Sequence, residues 1–340
     1  MVRLQRYILQ NFSSIFFSLF IPLFSIASLI FFIKIVSITS VIKINFLELN
    51  QIYLYLLPQI LFYTIPITFF AAAIMTLSKL SYDYEMVVIF SFGVSPKKVA
   101  KIFAKIATLA TITLLILSLG IIPQAKQIYK SFINYKKKEA IFNIKPSEFG
   151  QKFGDWLLFL GEKKDKNSFN NIVLYNQKMM DKENFITANK AMIVSDKDGL
   201  KFILIDGSGY TYENEKLTKI EFKKMVINDL STVNVKHYRN IIEYWFESTI
   251  NNKRAFDLTI FILVSLFPLI SIFFILAFGI VNPRYEKNRA FFWIILSVVI
   301  FYALAFILSK KLPLYAIAIV AAIWLTVGYI LYYKRVKKRY

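Results

Sequence analysis

Six apolar runs, each long enough to cross a bilayer, stand in two blocks of three on either side of one long polar stretch. A helix needs about 20 apolar residues to span the hydrocarbon layer. Lipid offers no partner to a free backbone amide, so such runs read as helices. They fall at 12–36, 52–77, 99–122, 258–281, 290–308 and 314–332, and the polar stretch at 124–254. The first follows Arg3 and Arg6, as a signal peptide would. It is too long for an h-region and lacks a small-x-small cleavage site, so it is expected to stay attached.

Composition agrees with this layout. The 340 residues are 57% hydrophobic and only 19% charged, with a mean hydropathy of +0.53, which is membrane-class composition. The chain has no cysteine, which excludes disulfides, thiolate metal sites and cysteine nucleophiles. Its one histidine, His237, excludes a multi-histidine metal centre and reads as a surface residue. No cofactor is called for. The formal charge of +21 would suit nucleic acid or anionic lipid. Residues 124–254 hold 23 of the 42 basic and 16 of the 21 acidic side chains, so the excess lies elsewhere, flanking the apolar runs. That is membrane anchoring rather than a nucleic-acid groove.

The short connections give the orientation. Arg3, Arg6, Lys79, Lys97, Lys98, Lys101, Lys105, Arg284, Lys287, Arg289 and the tail from Lys334 to Arg339 share one side; Lys34, Lys43, Lys310 and Lys311 stand on the other. The positive-inside rule puts both termini in the cytoplasm and 124–254 outside, a long domain being exempt from the count. Within 124–254, short alternating runs at 156–160, 171–175, 190–194, 201–205 and 218–222 read as strands. Asp198-Gly199 and the run from Asp206 to Gly209 read as turns between them. An antiparallel sandwich, jellyroll or open barrel is expected, with Trp156 in its core. Residues 124–139 read as a helix prolonging the third span.

The spans lack means of powering transport. No Asp, Glu or His lies inside the six runs, whereas ion-coupled carriers bury such groups. None of the ten glycines precedes a lysine, so a Walker A motif is absent. A partner is expected to supply the energy.

Between the second and third runs lies an elbow. A short helix is expected over 82–92, within a segment bounded at about 80–93. Asp83 and Glu85 fall in its first turn, and Met86, Val87, Ile89 and Phe90 form its apolar face. Gly93 suits a left-handed C-cap, and Ser95 with Pro96 begins the next helix. Two readings stand: a surface helix against the bilayer, or a docking helix presenting a carboxylate to a basic groove on a cytoplasmic partner.

This chain resembles the LptF/LptG (YjgP/YjgQ) permeases of lipopolysaccharide export. The likeness rests on Arg6-Tyr7 before the first span and on Glu85-Met-Val-Val, Gly93-Val-Ser95 in the elbow. It extends to Phe185-Ile-Thr-Ala, Lys190-Ala, Asp206-Gly207 and Tyr210 in the polar segment. The resemblance implies an α-helical membrane protein with six transmembrane helices (3+3) and an inserted periplasmic all-β, jellyroll-like domain. Its parts would be 1–123 (three spans and the coupling helix), 124–254 (the β domain) and 255–340 (three spans and a basic tail). It further implies a non-catalytic subunit working with an LptB-like cytoplasmic ATPase dimer, a paralogous LptF- or LptG-like permease, an LptC-like single-span protein and a periplasmic LptA-like bridge. Glu85 matches the acidic contact of the family's coupling helix, with Asp83 and Gly93 beside it.

Lipopolysaccharide carries phosphates, and the family holds them with basic residues at the outer ends of its first and fifth spans. Lys34, Lys310 and Lys311 stand at such ends. Snorkelling of long basic side chains to the headgroup layer explains their placement as well, and is the simpler account of Lys43. A different class of function, an ATPase-coupled mechanotransmitter whose outer domain binds a protein, fits the outer domain and the elbow. Such proteins usually place that domain after the first of four spans, unlike the three-plus-three order here.

Overall fold

A computed structural model describes residues 2–39, 44–142, 151–153, 156–161, 163–165, 168–179, 182–196, 199–213, 216–228, 240–284 and 287–338. Lys43, Asp198 and His237 lie outside them. The chain packs as two units, one of Met1–Lys34, Gln51–Lys126 and Tyr238–Tyr340, the other of Ile35–Asn50 and Gln127–His237.

The first unit is helical, and its boundaries with the second fall within α1, α2 and α5. Helices α1 (Val2–Thr39), α2 (Phe46–Tyr82), α3 (Glu85–Ser91) and α4 (Pro96–Leu115) are followed by a π-helical turn, Ile116–Ile121, and α5 (Ile122–Phe142). After the polar stretch come α6 (Ile241–Phe246), α7 (Asn252–Ile270), α8 (Ile272–Gly279), α9 (Ala290–Lys311) and α10 (Tyr315–Tyr332). Five described helical stretches are long and apolar enough to span a bilayer, six if α7 and α8 form one span. Helix continues from Pro96 through Lys136, so the third span does run on as expected.

The fourth run, expected as one helix, is bent by 43° between α7 and α8. Pro268 lacks the N–H that would bond within the preceding turn, which weakens the helix there. Ser271 completes the break and accepts a hydrogen bond from the Trp324 indole N–H at 2.9 Å, in a buried site. Around this joint Phe267, Phe274, Phe301 and Trp324 form the core, Phe274 and Trp324 stacking at 4.3 Å. Helix α1 joins that core through Ile8 and Phe12, whereas Phe17, Ile21, Ile26, Leu29, Ile30 and Ile33 are exposed.

The second unit holds one antiparallel sheet of β1 (Gln151–Phe153), β2 (Trp156–Leu160), β3 (Lys163–Asp165), β4 (Ser168–Met179), β5 (Lys182–Asp196), β6 (Gly199–Glu213) and β7 (Lys216–Asn228). Their order is β1-β2-β4-β5-β6-β7, with β3 on β4. All five expected strands lie within these elements, and Trp156 packs against the core.

Asp206-Gly207-Ser208-Gly209 is no turn; it lies inside β6. There the sheet is creased. Inward-facing residues normally alternate along a strand. Here β4, β5 and β7 each skip a residue, so Phe169 and Ile172, Ala188 and Ala191, and Phe222 and Met225 all serve one core. The pairings Phe169↔Ala191↔Leu204↔Met225 and Ile172↔Ala188↔Gly207↔Phe222 flank the skip. Asn171 and Asp206 take left-handed φ values of 52° and 51°, which Asn and Asp tolerate better than other side chains. Gly207 is required by space: a Cβ there would meet the Thr187 carbonyl oxygen at 2.2 Å. The skip keeps the residues before and after it in one core.

Candidate functional site

The elbow is built from its two ends. Helix α2 runs on to Tyr82, further than its apolar run, so α3 begins only at Glu85. Asp83 therefore lies in the connecting turn and not in the first helical turn, a correction to the sequence reading. Tyr84, at φ 63°, turns the chain into α3. At the other end Gly93 takes φ 79°. Its N–H bonds to the Phe90 carbonyl at 2.9 Å, and the Val94 N–H reaches the Ile89 carbonyl at 3.4 Å. Those two bonds are the Schellman pattern, which favours glycine at this position. Ser95 is extended and Pro96 opens α4, although the Ser95 side chain makes no capping bond.

Helix α3 divides its apolar residues between two faces. Met86 is buried, and Ile89 and Phe90 pack on the helical core. Val87, expected on that inner face, is exposed together with Val88, Tyr84 and Phe92, the last at 82%. The reason is spacing: positions 86, 89 and 90 share one side of a helix, and 87 does not. A seven-residue helix is too short to be stable from its own hydrogen bonds, so the three inner residues hold it. What remains outward is an apolar patch with the Asp83 carboxylate beside it, also exposed.

Glu85 is half-buried at the start of α3, and the Tyr7 hydroxyl donates to its two carboxylate oxygens at 2.9 and 2.7 Å. Sequence reasoning noted both residues without joining them, since 78 positions separate them. Tyr7 thus ties the start of the first span to the elbow and fixes the direction of the carboxylate.

The basic candidates stand on two helices. Lys34 is exposed on α1, and Lys310 and Lys311 are exposed in the last turn of α9, where cations suit the helix dipole. None of the three lines the cavity beside α9, the pocket on the sheet or the shallow pocket on α1. Among the described residues no group of three or more His, Asp or Glu side chains is placed to hold a metal ion.

Comparison with curated proteins finds no match. The sequence profile of the lipopolysaccharide export system permease LptF/LptG matches residues 6–332, from before the Tyr7–Glu85 contact to the end of α10. This chain belongs to the LptF/LptG family of lipopolysaccharide export permeases, multi-pass proteins of the inner membrane.

Proposed function

We infer that the chain is the non-catalytic membrane subunit of an ATP-driven exporter that draws lipopolysaccharide from the outer leaflet of the inner membrane. ATP hydrolysis belongs to an LptB-like dimer in the cytoplasm, and α3 is where that dimer grips. The observation that carries this reading is the outward face of the elbow: Val87, Val88 and Phe92 stand exposed on a helix anchored from behind, with Glu85 held by Tyr7. A patch of that kind suits a partner groove with an apolar floor and a basic rim. Both termini are then cytoplasmic, and residues 124–254 form the periplasmic domain that hands lipid to an LptA-like bridge, with an LptC-like subunit alongside. The exposed apolar length of α1 suits the paralogous LptF- or LptG-like permease. Packing of that kind is how spans associate in lipid.

The expected outcome is that tagged chain co-purifies with an ATPase and that Glu85→Lys abolishes this. An active ATPase complex recovered from the charge-reversed chain would remove Glu85 from the docking role. Lys34, Lys310 and Lys311 would hold lipid phosphates. Neutralising Lys34 and Lys311 together should lower photocrosslinking to lipopolysaccharide several-fold, and unchanged crosslinking returns them to snorkelling.

A further inference from the structure

A second feature of the helical unit has no part in that reading. Where α2, α8, α9 and the π-helical turn after α10 (Tyr333–Lys337) come together, there is a cavity of about 310 Å³. Lys287, Arg289 and Arg335 line it, and no carboxylate does among the described residues. Its inner wall includes Ser78, 3% exposed, whose hydroxyl has no hydrogen-bond partner among the described residues. Its floor is aromatic: Phe278 and Trp293 stack at 4.8 Å and 6°. The Arg335 guanidinium lies 4.8 Å from the Trp293 ring centroid and 5.4 Å from that of Phe278. Helix α9 starts at the same place, so its positive dipole end adds to the field.

Three cations around one small cavity repel one another, and a buried hydroxyl without a partner carries a desolvation cost. A bound oxyanion removes both penalties. We propose that this cavity binds the phosphate of an anionic phospholipid in the cytoplasmic leaflet. The lipid source follows from what adjoins the cavity. The first turns of α9 leave Phe291, Phe292 and Ile295 about 60% exposed, a dry wall on which acyl chains can lie and for which a free phosphate ion has no use. Basic pockets between spans on the cytoplasmic side are suited to such headgroups. The consequence is mechanical. The bound phosphate would tie the end of α2, directly before the elbow turn, to α9 and to the chain's tail, stiffening the platform from which α3 projects.

The leaflet rests on the orientation proposed above, and the test separates the two. The full-length chain, purified with whatever subunits accompany it, is placed in phosphatidylcholine nanodiscs containing a few per cent phosphatidylglycerol, and retained lipid is counted by native mass spectrometry. Retention of phosphatidylglycerol is expected to fall about fivefold for each charge removed, in Lys287→Gln and further in Arg289→Gln/Arg335→Gln. Lys101→Gln/Lys105→Gln, two exposed charges on α4 outside the cavity, should leave it unchanged. Lys287 is exposed and outside the core, so its variant remains informative if the double variant fails to fold. Equal retention in wild type and Lys287→Gln overturns the site. Full displacement of the lipid by millimolar inorganic phosphate overturns the lipid assignment. Orientation has its own readout: the chain lacks cysteine, so Asn288→Cys is a unique label site. Labelling by an impermeant maleimide only after the inner membrane is opened supports the cytoplasmic leaflet; labelling from outside overturns the leaflet while leaving the retention result to stand or fall by itself.

Discussion

The two units break their regular backbone in opposite ways. Three breaks in the apolar helices of the helical unit are closed by side chains from within the protein. Ser271, between α7 and α8, receives the Trp324 indole. In the π-helical turn the Leu119 carbonyl receives the Trp245 indole at 2.8 Å, and Ser118 meets Ser265 at 3.1 Å. Past the end of α8, Ser81 donates to the Gly279 carbonyl and accepts from the Val281 N–H. In the sheet, the crease runs through Asn171, Asn189, Asp206 and Lys223, and all four side chains are exposed. Water can reach that row. The difference is one of solvent: inside lipid an irregular backbone must find its partner within the protein, and outside it need not.

The crease should therefore be sensitive to shape and the helix breaks to polarity. The largest effect is expected from Gly207→Val. The added Cβ would sit 2.2 Å from the Thr187 main-chain oxygen and 2.6 Å from the Phe222 ring. Neither obstacle can move away cheaply, because the first is a paired strand and the second belongs to the core. The cost is expected to be about 3 kcal/mol or more. Limited proteolysis of the whole chain in detergent should then show the segment 143–237 cut early, while the helical unit keeps its protection. Equal loss of protection in both units would show that the two regions do not unfold separately, and would dissolve the comparison.

The crease also marks where the sequence could be read and where it was misread. The spans, the strands and the Gly93 cap follow from period and from turn chemistry, which are local. Asp206-Gly207-Ser208-Gly209 carries the same residue types as a turn, and only the neighbouring strand shows that Gly207 is needed for close approach. The signal that distinguishes them is non-local. An apolar step of three inside a period of two recurs at Phe169/Ile172, Ala188/Ala191 and Phe222/Met225, with polar pairs such as Asn170-Asn171 and Lys223-Lys224 filling the gap. One such step is noise; three in paired strands are a fold line. The elbow shows the same limit. Its cap was legible, whereas α2's overrun to Tyr82, which excludes Asp83 from α3, depends on packing. The Tyr7 bond to Glu85 joins residues that no periodicity connects. The basic cavity draws on four separate segments, and its cations read in sequence only as orientation signals.

A smaller effect sharpens the other half of the comparison. Ser271→Ala removes the acceptor of the Trp324 indole while keeping the helix joint and nearly all of the packing volume. If a dry surrounding made such a bond worth several times its value in water, the substitution would be severe. Measured interhelical hydrogen bonds in membranes average well below that, so a loss of about 1 kcal/mol is expected. Unfolding of the chain in detergent, followed by tryptophan fluorescence, reads it, and Ser271→Thr, which keeps the acceptor, should recover most of the difference. A loss above about 3 kcal/mol would mean that the break is held chiefly by its polar partner. A loss near 1 kcal/mol means that the Phe267, Phe301 and Trp324 rings hold the bend by shape. On that outcome the polar side chains at the breaks prevent a penalty rather than supply the stability, and the two units differ in their solvent, not in what holds them together.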